Sequence, residues 1–404
     1  MGLNSTPSSE RLHIGLFGKQ NAGKSSVINA ITGQKLAIVS EYKGTTTDPV
    51  YKAMELLPLG PVVLIDTPGF DDEGELGKQR IEKSIQVLNK TDMAILVVNG
   101  SLGLSGEDNL FIEKFKEKKI PYLIVMNKGD LVKDGKKQRE NKTDSMIWVS
   151  TKTGENIHEL KELLGKYAPL EESKSRIVGD LLEPSDFVVL VVPIDKAAPK
   201  GRLILPQQQT IRDILDSNAI SIIVKETKLK KALETLGKKP KLVITDSQVF
   251  DQVSRDTPED ILLTSFSILF ARYKGNLEEV VKGAKTLDSL KEGDTILISE
   301  GCTHHRQCDD IGTVKLPRMI TNYIGKQIHF EFTSGREFPT DLSKYAMIVH
   351  CGGCTLNQRE MKYRIQCAQG QEIPITNYGV LIAYINGILK RSIAPFPSIA
   401  KVLE

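Results

Sequence analysis

The octet Gly18-Lys19-Gln20-Asn21-Ala22-Gly23-Lys24-Ser25 constrains the fold of this chain more than any other stretch. It fits G-x-x-x-x-G-K-[ST], follows an apolar run of strand length, His13 to Phe17, and opens a helical pattern, Lys24 to Thr32. Glycines in such a loop let successive N–H groups turn inward around phosphate oxygens. The positive end of the following helix faces the same anion. Lys24 is then placed to reach β- and γ-phosphates, and Ser25 to offer its hydroxyl to Mg²⁺.

The surrounding sequence supplies the rest of such a site. Val62 to Ile65, Met93 to Val98, Tyr122 to Met126 and Ile147 to Val149 read as buried strands, with Phe111 to Lys118 and Ile157 to Tyr167 as helices. This alternation predicts a mostly parallel sheet covered on both faces. Asp66-Thr67-Pro68-Gly69 ends one strand: Asp66 can hold a metal-bound water, and the Gly69 N–H can meet a γ-phosphate. Asn127-Lys128-Gly129-Asp130 ends another, and a carboxylate there can accept two N–H bonds from guanine, a pair that adenine does not offer. Ser150-Thr151-Lys152 follows the last strand and can approach the guanine carbonyl. Within Gly44 to Asp48 a threonine can close onto Mg²⁺ when a γ-phosphate is present.

At 404 residues the chain is long enough for two or three domains. A charged, Pro- and Ser-interrupted stretch, Pro169 to Arg176, marks a first boundary, and Leu287 to Gly293 a second. The expected architecture is α/β throughout: a nucleotide-binding domain over 1–170, then two smaller α/β domains over 176–288 and 289–404. In the middle domain Phe187 to Val192, Ala219 to Val224 and Lys241 to Thr245 read as strands, and Lys228 to Leu236 as a helix. Pro206 suits a first helical position, and Thr257-Pro258-Glu259 predicts a helix start before Ile261 to Tyr273. The last domain shows two strand-like runs, Thr295 to Ser299 and Ala346 to Val349. The net charge of +3 and the lack of a basic stripe speak against a nucleic-acid partner. No apolar run is long enough to span a membrane, and Met1 to Glu10 lacks a signal-peptide core, so a cytoplasmic, reducing setting is expected.

All five cysteines lie late in the chain: Cys302, Cys308, Cys351, Cys354 and Cys367. Cys302-Thr303-His304 follows one strand-like run and His350-Cys351-Gly352-Gly353-Cys354 the other. If the two strands are parallel neighbours, their C-terminal ends converge and Cys302, Cys351 and Cys354 share one crevice. From spacing alone three readings stand: an iron–sulfur cluster on three thiolates, a structural Cys₃His zinc site, or a Cys351–Cys354 redox disulfide.

The five N-terminal segments resemble the GTPase motifs of the translation-factor-related class, near the Era and TrmE subfamily. By that resemblance Gly18, Asn21, Ala22, Gly23, Ser25 and Ser26 contact the phosphates with Lys24. Thr46 is the switch threonine, joining Ser25 at Mg²⁺. Asn127, Lys128, Asp130, Ser150, Thr151 and Lys152 hold the base. Lys24, Ser25, Thr46, Asp66 and Gly69 carry the catalytic roles. Phe70 stands where Ras-like enzymes have a water-positioning glutamine, which implies slow hydrolysis without help. Asn21 occupies the position of the K⁺-ligating asparagine in potassium-activated relatives; its alternative role is a turn residue.

Over its whole length the chain resembles the FeFe-hydrogenase maturation GTPases, the HydF family. This implies a 4Fe–4S cluster on Cys302, Cys351 and Cys354, and GTP with Mg²⁺ and K⁺. It implies a homodimer formed through 176–288 and a scaffold or carrier role for the two-iron hydrogenase precursor. Two radical-SAM maturases and the immature FeFe-hydrogenase are the implied partners. For the fourth cluster ligand His304, His350, Asp309, Asp310, Cys308 or an exogenous group stay open. The rival reading is a GTP-dependent RNA-modification or ribosome-assembly factor with a C-terminal zinc site.

Overall fold

A computed structural model describes residues 6–34, 48–69, 75–132, 144–169, 176–194, 203–301, 310–335 and 338–403. Thr46, Phe70, Cys302, His304, Cys308 and Asp309 lie outside the described residues. The chain divides into two compact units, Met1–Ser173 and Lys174–Glu404.

The first unit is built on six strands: β1 (Leu12–Phe17), β2 (Val50–Leu56), β3 (Gly60–Asp66), β4 (Met93–Asn99), β5 (Tyr122–Asn127) and β6 (Met146–Trp148). Their order is β2-β3-β1-β4-β5-β6, with only β2 antiparallel to its neighbour. Alternate residues feed opposite faces, as the two-residue strand period requires. Ile14, Val62 and Leu64 join Val27, Ile28 and Ile31 of α1 (Lys24–Thr32) in one core. Phe17, Val63 and Ile65 join Val87 and Leu88 of α2 (Glu75–Leu88) and Phe111 and Phe115 of α3 (Gly106–Glu117) in the other. Leu160 and Leu164 bring α4 (Ile157–Tyr167) onto the α1 face. Both faces are covered, and the loops at the C-terminal strand ends carry every described nucleotide motif.

The second unit holds two four-stranded sheets, all parallel. The first runs β10-β9-β7-β8, from β7 (Phe187–Val191), β8 (Ile220–Val224), β9 (Leu242–Thr245) and β10 (Leu262–Ser265). Helices α5 (Leu205–Asp216), α6 (Leu229–Thr235), α7 (Phe250–Asp256) and α8 (Phe266–Lys274) connect or follow these strands. Pro206 sits in the first turn of α5 as expected. The expectation of one helix over Ile261 to Tyr273 is corrected: Leu262–Ser265 is a strand, and the helix starts only at Phe266, where the Ser265 hydroxyl caps the Ile268 N–H. A continuous apolar run satisfies either element, and pairing with β9 decides it.

The second sheet runs β12-β11-β13-β14, from β11 (Thr295–Ser299), β12 (His329–Thr333), β13 (Met347–His350) and β14 (Ile375–Asn377). The helices here are α9 (Leu277–Lys285), α10 (Leu316–Ile324), α11 (Gln358–Gly370) and α12 (Tyr378–Ile385). Leu277, Val280, Val281 and Ala284 of α9 belong to the core of the first sheet, together with Val380 and Ala383 of α12. On another side α9 lies so close to β14 that a Cβ at Gly283 would stand 2.1 Å from the Ile375 carbonyl oxygen. One helix thus joins both sheets into a single unit. Among the described residues no helix is long and apolar enough to cross a membrane.

Candidate functional site

The loop after β1 shows why its sequence is so restricted. Gly18 has φ +144°, and a Cβ there would lie 2.2 Å from the Val97 carbonyl oxygen of β4. Gly23 has φ +98°, and a Cβ there would meet the Asn127 side-chain nitrogen at 2.2 Å. Neither position admits a side chain. Asn21 is also left-handed, at φ 60°. Lys24 is buried, and its Nζ donates to the Gly18 and Lys19 carbonyls at 2.8 and 3.0 Å.

Asn127 ties the motifs together. Its Nδ2 donates to the Ala22 carbonyl at 3.1 Å, and its Oδ1 accepts from Thr151 N at 3.3 Å. One side chain therefore fixes the phosphate loop to the loop after β6. The Ser150 hydroxyl donates to one Asp130 carboxylate oxygen at 2.7 Å, and Asp130 is otherwise exposed. Lys128 is half-buried, Ser26 is half-buried in the first turn of α1, and Lys152 is exposed. Gly69 approaches from the other side: a Cβ there would lie 2.7 Å from the Gln20 backbone.

The Ser25 hydroxyl donates to Asp66 Oδ2 at 2.7 Å, while Asp66 Oδ1 is buried with no hydrogen-bond partner. Burial pushes the Asp66 carboxyl up, against the lowering effect of the Ser25 hydrogen bond and the Lys24 charge. A buried, unmatched carboxylate oxygen beside a serine hydroxyl fits a hydrated divalent cation. The geometry thus ties the phosphate loop to Asn127 and Thr151, Ser25 to Asp66, Ser150 to Asp130 and Gly69 to Gln20; Thr46 lies outside the described residues.

In the second unit β11 and β13 are parallel neighbours in register, Ser299 opposite His350. The C-terminal ends of β11 and β13 thus lie side by side, with Gly301 following the one and Cys351 the other. Gly301 is pinned inside the second motif: its N–H donates to Cys351 Sγ at 3.1 Å, and its carbonyl accepts from the Thr355 hydroxyl at 3.0 Å. A side chain at Gly301 would meet Leu356 at 2.7 Å. Gly353, left-handed at φ 60°, turns the loop so that its own N–H also points at Cys351 Sγ, at 3.4 Å. Burial pushes the Cys351 thiol up to about 11. The Cys354 thiol is raised by burial too, against the charge of Lys274. Buried thiols supplied with N–H donors, but costly to ionise alone, fit a bound metal centre, which holds its cysteines as thiolates. Among the described residues no group of three or more His, Cys, Asp or Glu is arranged to hold a metal ion; Cys302 lies outside them.

Two candidates for the fourth ligand have other partners. His350 is buried, its Nδ1–H donates to the Cys351 carbonyl at 2.7 Å, and its Nε2 accepts from Arg364 at 3.0 Å. Burial, and next the Arg364 charge, lower its pKa to about 3, so the ring is neutral at ordinary pH. Asp310 caps a helical turn: its Oδ2 accepts from Gly312 N, Thr313 N and the Thr313 hydroxyl. Sequence reasoning missed Arg364, which is fully buried, paired with Glu360 at 2.7 Å and donating to His350 Nε2 at 3.0 Å. It missed Glu300 as well, a buried carboxylate held by the Tyr378 hydroxyl at 3.1 Å. The i,i+4 spacing of Glu360 and Arg364 hinted at the pair, but nothing hinted at its burial.

Comparison with known families decides the assignment. The family model for the hydrogen maturase F dimerization domain matches residues 177–275, and that for the hydrogen maturase F tetramerization domain matches 278–395. The chain belongs to the hydrogen maturase F family. A third model, 50S ribosome-binding GTPase, matches 13–128, so the first unit is a P-loop GTPase domain. The tRNA modification GTPase MnmE of Nitrosomonas eutropha is 33% identical over 158 residues, 39% of this chain and 35% of that protein. An uncharacterised protein of Methanocaldococcus jannaschii, MJ0920, is 34% identical over 176 residues, 38% of this chain and 95% of its own length. The chain thus spans about a third of the MnmE proteins it matches. Among solved structures, Era of Aquifex aeolicus bound to GDP and aluminium fluoride aligns at 18% identity with a TM-score of 0.35, over 56% of this chain and 98% of that one.

Proposed function

We propose that this hydrogen maturase F chain hydrolyses GTP to GDP and phosphate, and that it binds a 4Fe–4S cluster through Cys302, Cys351 and Cys354. It serves as scaffold and carrier for the two-iron precursor of an FeFe-hydrogenase, exchanging cargo with radical-SAM maturases and the immature hydrogenase. The observation that carries this reading is Gly301, the residue before Cys302, donating its N–H to Cys351 Sγ at 3.1 Å.

In the first unit Lys24 and the loop amides neutralise phosphate charge, Ser25, Thr46 and Asp66 serve Mg²⁺, Gly69 meets the γ-phosphate and Asp130 reads guanine. K⁺ at Asn21 completes the charge balance; equal turnover in K⁺ and Na⁺ would remove that ion from the reading. In the second unit Gly301 and Gly353 supply N–H groups to the cysteine sulfur, and His350 and Arg364 brace the loop. When bound, the cluster would supply iron–sulfur redox chemistry on Cys302, Cys351 and Cys354, and with His350 and Asp310 otherwise engaged, His304, Cys308, Asp309 or an exogenous group stay open as its fourth ligand.

Dimerisation through 176–288 is supported by β8, an edge strand with Ile220 and Ile223 exposed at 42% and 47%. An apolar edge of that kind is a template for a second copy. The 289–404 segment is proposed as the cluster domain. Anaerobic reconstitution with iron and sulfide, followed by EPR after reduction, tests the function. The expected result is a cluster signal that is lost on replacing Cys302, Cys351 or Cys354 with Ala. A colourless chain with stoichiometric zinc would instead support the RNA-factor reading that the MnmE likeness favours.

A further inference from the structure

Lys274 is the last residue of α8, inside the segment matched by the dimerization model, and its side chain ends in the other segment. It is 1% exposed. Its Nζ donates to the carbonyls of Gly353, Cys354 and Leu356 at 3.4, 3.1 and 2.9 Å. An ammonium has three protons to give, and the Cys351–Cys354 loop presents it with three oxygens. Burying a cation is expensive unless its hydrogen bonds are met, and this one lies among loop carbonyls with the Phe270 ring 5.6 Å away.

The neighbouring contacts fix the arrangement from both sides. Gln358 donates to the Tyr273 carbonyl at 3.1 Å, so the start of α11 is tied to the end of α8. A Cβ at Gly275 would lie 2.9 Å from Ile365 of α11, so α8 ends in close contact with that helix. Within the loop the Leu356 N–H already meets the Gly353 carbonyl at 3.1 Å, and the ammonium adds a side-chain donor shared by that oxygen and the Cys354 and Leu356 carbonyls.

We infer that Lys274 is a positioning residue for the cluster loop: its ammonium, reaching across from the dimerization segment, holds the Gly353, Cys354 and Leu356 carbonyls together and so sets the direction of both thiols. This rests on the cluster reading of Cys302, Cys351 and Cys354. It adds that the cysteine loop takes its shape from a residue outside its own segment, and that this residue's ammonium stands beside the proposed metal centre.

The test uses the full-length chain with Lys274→Met, which keeps length and removes donors and charge, and Lys274→Gln, which keeps a shorter donor. Hydrogen exchange of the metal-free chain is followed over 351–357 and over β7 and β9. The expected result is faster exchange confined to 351–357. In the reconstituted chain, cluster loss to a chelator should speed up about 10- to 100-fold, as for other residues that orient metal ligands. The midpoint potential should move to more negative values, because a nearby cation favours the reduced cluster. A residue that only packs would leave the potential in place. Unchanged loop exchange, or exchange that rises equally in β7 and β9 in both variants, overturns the inference. The exchange arm needs no metal, so it decides on Lys274 even if the wild-type chain takes up no iron.

Discussion

Lys24 and Asp130 are single side chains whose removal separates the two tasks of the nucleotide site. Lys24 carries the one side-chain ammonium buried within the phosphate loop among the described residues. Lys24→Ala should lower GTP turnover by about 10²-fold or more, the scale of losing one charge-stabilising donor; phosphate release under saturating Mg²⁺ checks it. Asp130→Asn should leave hydrolysis possible but reduce the preference for GTP over ATP, measured by competition; retained preference would refute the assignment of Asp130. Both residues were legible in the sequence because their motifs are contiguous and follow buried strands. Lys274, Arg364 and Glu300 were not. Each owes its role to partners far away in the chain, such as Lys274 to Leu356 and Glu300 to Tyr378. The sequence around Lys274 and Glu300 carries no sign of it, and around Arg364 the Glu360 spacing hints at the pair but not at its burial.

Strands show the same division at the next scale. β1, β4 and β5 are buried on both faces and appear as apolar runs. β2 and β12 are edge strands with alternating or exposed side chains, and β14 has three residues, so none stood out from loop. Pairing rather than composition makes them strands. The crevice at β11 and β13 was legible as a condition on neighbouring strands, and the register of Ser299 with His350 meets it. The exposed edge of β8 yields a prediction of its own. Ile223→Lys places a charge in an apolar edge and should weaken the association proposed through 176–288 without loss of the unit's fold, read by sedimentation and far-UV circular dichroism.

For the whole molecule, the joint within the second unit matters most. α9 contributes to the core of one sheet and lies against β14 of the other, with space at Gly283 for hydrogen only. Gly283→Ala would press on Ile375 backbone, which cannot swing aside as a flexible side chain would. It should cost on the order of 1–3 kcal/mol and lower the thermal midpoint of the second unit, while the transition raised by GTP keeps its place in calorimetry. The contiguity of the two matched segments at 275 and 278 conveyed the order of these parts, not the shared helix.

Because β11 and β13 are adjacent within one polypeptide, the cysteine set proposed for the cluster comes from a single copy rather than from two. Occupancy is then counted per chain, and an empty berth on one copy leaves the others able to fill. Mixing wild-type chain with Cys351→Ala chain should dilute bound iron in straight proportion to the wild-type fraction; a quadratic fall would mean that donors are pooled between copies.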